Sequence, residues 1–223
     1  MARNIEIVCS DDPYGAAAER LAAAARAGGH VVVTGGGSVA KAYERAASLQ
    51  PDWSKVDLWF TDERCVPVDD DRSNFKLVKE SLIDHVELRA AHRMRGELGK
   101  EEGARLYDEE LAPVERFDFI LLGMGPDGHI ASLYPEQPTL DVTERKAVAA
   151  EAHLEPYVDR ISLTLPMLRG AREILFLVTG ESKADAAQRA FDGEPSRETP
   201  ASLVRAIRGT TTAVLDAAAA AKV

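Results

Sequence analysis

Short apolar runs rich in β-branched residues alternate along this chain with longer stretches of helical period, the pattern of a mostly parallel sheet flanked by helices on both faces. The spacing predicts strands over 5–9, 30–34, 56–61, 117–123, 160–165, 172–179 and 211–215, and helices over 13–27, 39–49, 74–83, 101–111, 182–191 and 201–207. Asp11 or Asp12 ahead of Pro13 gives the first helix a cap and a first-turn proline, and Pro200 has the same starting role late in the chain. The alanines of 217–221 read as a final helical turn or a frayed tail. With no internal repeat and no long linker, the 223 residues are expected to form one α/β domain over 1–223.

Ligands of open α/β sheets collect beyond the carboxyl ends of the strands, where loops converge over a rigid base. Four such ends carry unusual chemistry: Gly35-Gly36-Gly37-Ser38, Asp62-Glu63-Arg64, Gly125-Pro126-Asp127-Gly128-His129 and Gly180-Glu181-Ser182-Lys183. The first passes from strand through three glycines into a helix, so its N–H groups either cradle an anion such as phosphate or simply make a tight turn. It lacks the lysine of a Walker A loop and the spacing of a dinucleotide fingerprint. Gly123, Gly125 and Gly128 do satisfy G-x-G-x-x-G, but Pro135 and Pro138 follow where a crossover helix would have to run, so a dinucleotide site is not expected.

Composition acts mainly by exclusion. Asp plus Glu outnumber Lys plus Arg by 37 to 27, a formal net charge of −10 that repels polyanions, so neither nucleic acid nor an acidic membrane surface is an expected partner. Against that background a basic residue beside a glycine loop gains meaning. Only Cys9 and Cys65 are present, without ligand spacing, so no disulfide framework and no zinc site are expected. No run nears the roughly 18 apolar residues of a membrane helix and no signal pattern opens the chain, which makes the cytoplasm the expected location.

His129 lies in a glycine-flanked strand-end loop two residues from Asp127, with little apolar packing to justify it, and catalysis is its better reading. His30, His85, His92 and His153 lie at element edges or in polar stretches, where solvated or capping roles are expected. Arg64 is either the partner of a local surface ion pair or a fork for phosphate. Lys183, in the first turn of a helix, opposes the macrodipole, which fits either a nearby anion or a lysine reaching into solvent.

Several ordered motifs then resemble one family across nearly the whole chain. They are Gly36-Gly37-Ser38, Asp62-Glu63-Arg64-Cys65-Val66-Pro67 with Ser73-Asn74, Gly123-Met124-Gly125-Pro126-Asp127-Gly128-His129, Ser132-Leu133-Tyr134-Pro135, Arg160-Ile161-Ser162-Leu163-Thr164-Leu165-Pro166 and Gly180-Glu181-Ser182-Lys183-Ala184. Together they resemble the 6-phosphogluconolactonases of the glucosamine-6-phosphate deaminase/isomerase superfamily. The resemblance implies a NagB-like, modified Rossmann-type fold and hydrolysis of 6-phospho-D-glucono-1,5-lactone to 6-phosphogluconate, the second step of the oxidative pentose phosphate pathway. It implies His129 as general base, Asp127 as its support, and phosphate binding by Arg64, Lys183, the loop of Gly36, Gly37 and Ser38, and Arg160. No metal or organic cofactor is implied, and functional coupling to glucose-6-phosphate dehydrogenase is.

The chain departs from the family pattern at Val39 and Ala40, where a threonine and proline usually follow the glycines, and at Ile130, where a threonine usually follows the histidine. The last feature resembles the deaminase branch, the main alternative. Yet Arg64 stands where deaminases carry tyrosine, and Tyr134 where they carry the glutamate that orients the ring-opening histidine. A non-catalytic sugar-phosphate effector domain is the other alternative; a first strand beginning at residue 5 and the acidic charge disfavour it.

Overall fold

Val31 and Val33 face one apolar layer and Val32 the other, and none of the three has exposed surface. A strand buried on both faces needs cover on both sides, and this one has it. The structure is a computed structural model and describes residues 5–223. The chain runs β1 (Glu6–Cys9), α1 (Pro13–Ala27), β2 (Gly29–Val33), α2 (Ala40–Leu49), β3 (Asp52–Phe60), β4 (Asp62–Arg64), α3 (Asn74–Ser81) and β5 (Glu87–His92). It continues with α4 (Lys100–Glu110), β6 (Phe119–Leu122), β7 (Ala147–Ala150), β8 (Arg160–Leu163), α5 (Leu165–Arg169), β9 (Glu173–Val178), α6 (Ala184–Ala187) and β10 (Thr210–Leu215).

Seven parallel strands form the main sheet in the order β1-β10-β9-β6-β2-β3-β5. Side chains of α1 and α2 pack on one face against Val31, Val33, Leu58 and Phe119. On the other, Tyr107 of α4, Leu168 of α5 and Ala187 of α6 pack with Val32, Ile120 and Phe176. From β2 the chain moves outward to β3 and β5, whereas from β6 it moves the opposite way to β9. The seam between β2 and β6 is therefore a topological switch point, where the following loops diverge and leave a crevice. No described helix is long and apolar enough to cross a membrane.

The structure corrects the periodicity reading in several places. Three strands escape it: β4 is three charged residues long, β5 is a half-exposed edge carrying Glu87 and Arg89, and β7 is mostly alanine, so none shows a β-branched run. The predicted strand 160–165 ends at Leu163, because Pro166 opens α5 behind Thr164, and it lies outside the parallel sheet. It pairs instead in a separate antiparallel sheet, β4-β8-β7. The predicted helix 201–207 is one 3-10 turn, Pro200–Leu203. That of 182–191 is composite: a 3-10 turn at Glu181–Lys183, then α6, then a π turn over Gln188–Asp192. The alanine tail is not frayed, since Ala219 is fully buried and its N–H donates to Asp216. Asp12 caps α1 as expected, accepting from the Gly15 N–H at 3.2 Å.

Candidate active site

The two loops that leave the switch point are the glycine loops. Beyond β2, the buried Tyr43 hydroxyl accepts from the Thr34 N–H at 2.9 Å and donates to the Thr34 carbonyl at 2.6 Å, fixing the strand end from which the loop 35–38 departs. Gly36 takes φ +112°, and a methyl added at Gly36 or Gly37 would meet nothing within 4 Å, so this backbone lies open to a guest. Beyond β6, no crossover helix follows Gly128; the chain instead makes a tight turn closed by the Ile130 and Leu133 bridge. Between the loops lies a cleft of about 550 Å3.

His129 lines that cleft with its ring about one-fifth exposed, and Asp127 lies behind it. Asp127 Oδ1 lies 2.6 Å from His129 Nδ1 and accepts from the His129 backbone N–H at 3.1 Å. Burial pushes the Asp127 carboxyl up, but the hydrogen bond and charge of His129 and the backbone N–H outweigh it and hold the group below the ordinary carboxylate range. An ionised carboxylate can only accept, so the proton on Nδ1 is donated to Asp127 and Nε2 is the ring nitrogen that Asp127 does not engage. This contact depends on Gly125, since a Cβ there would run into the His129 ring, and on Gly128 at φ +90°. The Tyr134 ring packs against His129 with centroids 4.7 Å apart.

Two arginines also meet at this cleft. Arg64 of β4 and Arg160 of β8 are direct partners across the antiparallel ladder, and both line the cleft. Like charges placed directly opposite destabilise a sheet. Burial pushes the Arg160 guanidinium below its ordinary value, the Arg64 charge pushes it further, and Tyr134, Asp62 and Glu63 oppose the fall. The buried Nε of each arginine has no hydrogen-bond partner. Such a pair calls for an anion. Among the described residues the surface ion pair envisaged for Arg64 does not form: its neighbour Glu63 instead accepts the N–H groups of Arg64, Asn74 and Phe75 at 2.7, 2.7 and 2.8 Å, tying β4 to the start of α3.

Lys183 enters the same cleft from the 3-10 turn after β9. Burial pushes its ammonium below the ordinary lysine value, with partial compensation from Asp127. Gly36, Gly37, Ser38, Arg64, His129, Arg160 and Lys183 thus all line one cleft, with Asp127 directly behind His129. Sequence reasoning missed Asp62, Asn74, Ser132 and Tyr134, which line it too. All four stand inside the quoted motifs, and the signal that could have found them is polar side chains kept where burial is nearly complete. Among the other histidines, His92 stacks on Trp59 at 3.9 Å and His30 Nδ1 accepts from the Trp59 indole at 3.1 Å, structural roles around that one side chain. His153 is exposed, with its ring 5.3 Å from Tyr134.

A family model describing glucosamine-6-phosphate isomerases/6-phosphogluconolactonase matches residues 13–213. The chain belongs to this family. Its relatives in the glucosamine-6-phosphate isomerase/6-phosphogluconolactonase family include the 6-phosphogluconolactonase of Streptomyces coelicolor, 40% identical over 77% of this chain and 71% of that protein. The 6-phosphogluconolactonase of Mycobacterium leprae is 38% identical over 100% of this chain and 99% of its own. The crystal structure of 6-phosphogluconolactonase from Thermotoga maritima, 26% identical, matches with a TM-score of 0.84 over 95% of this chain and 99% of that one.

Proposed function

We propose that this chain hydrolyses 6-phospho-D-glucono-1,5-lactone to 6-phosphogluconate, the second step of the oxidative pentose phosphate pathway, with His129 as general base. The observation that carries this reading is the meeting of the Asp127 and His129 pair with Arg64, Arg160, Lys183 and an open glycine loop around one cleft. A phosphorylated lactone needs this combination: cations and bare amides for the phosphate, and a base held at the ester carbon.

In this reading Asp127 holds the imidazole in the tautomer that leaves Nε2 free, and Nε2 takes a proton from a water as that water attacks C1. The C1 to ring-oxygen bond then breaks, and the imidazolium returns the proton to the departing ring oxygen. One histidine serves both steps because the imidazolium formed in the first is the acid needed in the second. Arg64, Arg160, Lys183 and the backbone of Gly36 to Ser38 hold the phosphate, and that remote anchorage orients the carbonyl toward the water. No metal or organic cofactor enters either step. The enzyme acts in the cytoplasm. Glucose-6-phosphate dehydrogenase is its functional partner, since oxidation of the anomeric carbon of a hexose 6-phosphate yields this lactone.

The test is a coupled assay in which glucose-6-phosphate dehydrogenase makes the lactone in place and acid release is followed above the spontaneous rate. The expected result is strong acceleration with the phosphorylated lactone and little with unphosphorylated gluconolactone. Acid release at the spontaneous rate would refute the reading.

A further inference from the structure

Gly128, the residue before His129, has φ +90°, and a Cβ there would stand 2.7 Å from the Thr199 methyl. Non-bonded carbons pack best at about 3.5–4.0 Å, so Thr199 lies directly against the Gly128 backbone with no room for a side chain between them. A second link joins the same two segments, since the Ala201 N–H donates to the Gly128 carbonyl at 2.9 Å. Thr199 and Ala201 are buried, at 1% and 0% exposure, and neither is among the residues that line the cleft.

Thr199 is itself firmly held. A threonine ahead of a proline that opens a helical turn would ordinarily direct its hydroxyl at the free N–H groups of that turn. Thr199 makes no such cap bond. Its hydroxyl instead accepts from Arg189 Nε at 3.1 Å, and Arg189 belongs to the π turn over Gln188–Asp192. Its carbonyl accepts from the Ser202 N–H at 2.8 Å and from the Ser202 hydroxyl at 2.6 Å. Arg205 adds a further tie between the π turn and the turn Pro200–Leu203, donating to the Ala190 carbonyl at 2.6 Å and the Ala201 carbonyl at 3.1 Å. The helical run that ends in this π turn carries Lys183 in its first turn. Thr199 therefore stands between the run bearing a cleft cation and the loop bearing His129.

The bonds within the His129 loop, Gly125 N–H to the His129 carbonyl and Gly128 N–H to the Gly125 carbonyl, set its shape. The Thr199 methyl and the Ala201 N–H set where that shape sits. Placement matters for a base, because a displacement of about 1 Å can cost 10²-fold in rate.

We infer that Thr199 is a positioning residue for His129, its methyl backing Gly128 and its hydroxyl tying that support to the run that carries Lys183. The inference rests on the lactonase reading above, with His129 as the base.

The test measures kcat and KM for 6-phosphogluconolactone, made in place by glucose-6-phosphate dehydrogenase, in the wild type, Thr199→Ser, Thr199→Val, His129→Ala and the Thr199→Ser, His129→Ala double variant. Thr199→Ser removes the methyl and keeps the hydroxyl; it should lower kcat about 10-fold and leave KM within about two-fold. Thr199→Val keeps a methyl against Gly128 and should stay within about three-fold of the wild type in both constants. In the His129→Ala background Thr199→Ser should cost nothing further, a non-additivity that a general loosening of the fold would not produce. A wild-type kcat in Thr199→Ser, an equal fall in Thr199→Val, or a full second loss in the double variant would each overturn the inference. So would a Thr199→Ser chain that does not fold, because the methyl would then serve folding and not placement. A wild type no faster than spontaneous hydrolysis, or a wild-type kcat in His129→Ala, would overturn the lactonase reading itself.

Discussion

The two glycine loops over the switch point use the same residue for opposite ends. In the loop 35–38, Gly36 and Gly37 have empty space where a side chain would stand, so the backbone itself is open to a guest. In the loop after β6, Gly125 and Gly128 are crowded, the first by the His129 ring and the second by Thr199. There the missing side chains make room for the protein's own imidazole, not for a guest. The comparison teaches that a glycine-rich strand end has no fixed meaning. What lies where the absent Cβ would be decides whether the loop cradles a ligand or poses a catalytic side chain.

The largest expected effect comes from breaking the crowded loop. Gly125→Ala drives a methyl into the His129 ring and should lower kcat by about 10²–10⁴-fold, as loss of the general base does. Measured in a His129→Ala background, the same substitution should cost little further in kcat; a full second loss would show that Gly125 acts otherwise than by placing the ring.

Next come the cations that line the cleft together with the open loop. Arg64→Ala or Lys183→Ala should raise KM for the phosphorylated lactone about 10–100-fold with kcat nearly kept, the scale of a charge-assisted hydrogen bond. Steady-state kinetics on the unphosphorylated lactone should then show little change.

Lys183 gives the comparison a pH dependence. Burial lowers its value from the ordinary lysine one, so its positive charge is fully present on the acid side and is lost, as pH rises, earlier than for an exposed lysine. KM should therefore climb with pH on the alkaline limb of the profile. Lys183→Arg, which keeps its charge, should flatten that climb, and an unaltered profile would detach Lys183 from the phosphate.

The smallest effect belongs to Gly37→Ala. Its added methyl meets no protein atom, so thermal stability should barely change while KM rises a few-fold, because the methyl intrudes on the phosphate seat. A clear loss of stability would mean that the open loop is a structural turn after all.

What the sequence could reveal follows from where each signal resides. The central strands were legible because burial on both faces demands continuous apolar runs, as at Val31 to Val33 and Phe119 to Leu122. The edge strand β5 and the alanine-built β7 were not, since exposure and small side chains erase that signature. The residues around the cleft were legible as chemistry out of place: three glycines in a row, a histidine in a glycine-flanked loop two residues from an aspartate, a lysine opening a helix. Their pairing was not. Nothing local says that Arg64 and Arg160, 96 positions apart by numbering, stand opposite each other, because that depends on a second sheet whose middle strand the spacing placed in the parallel one. Asp62 escaped for a similar reason, since its hydroxyl partner Ser132 arrives through long-range pairing.

The central claim is that the imidazole of His129, posed by Asp127 and made room for by Gly125, activates water at the ester carbon. The most direct measurement is kcat for acid release from 6-phosphogluconolactone by His129→Ala beside the wild type at neutral pH. The account predicts a loss of about 10²–10⁴-fold with KM nearly unchanged. A variant that keeps the wild-type kcat would contradict it.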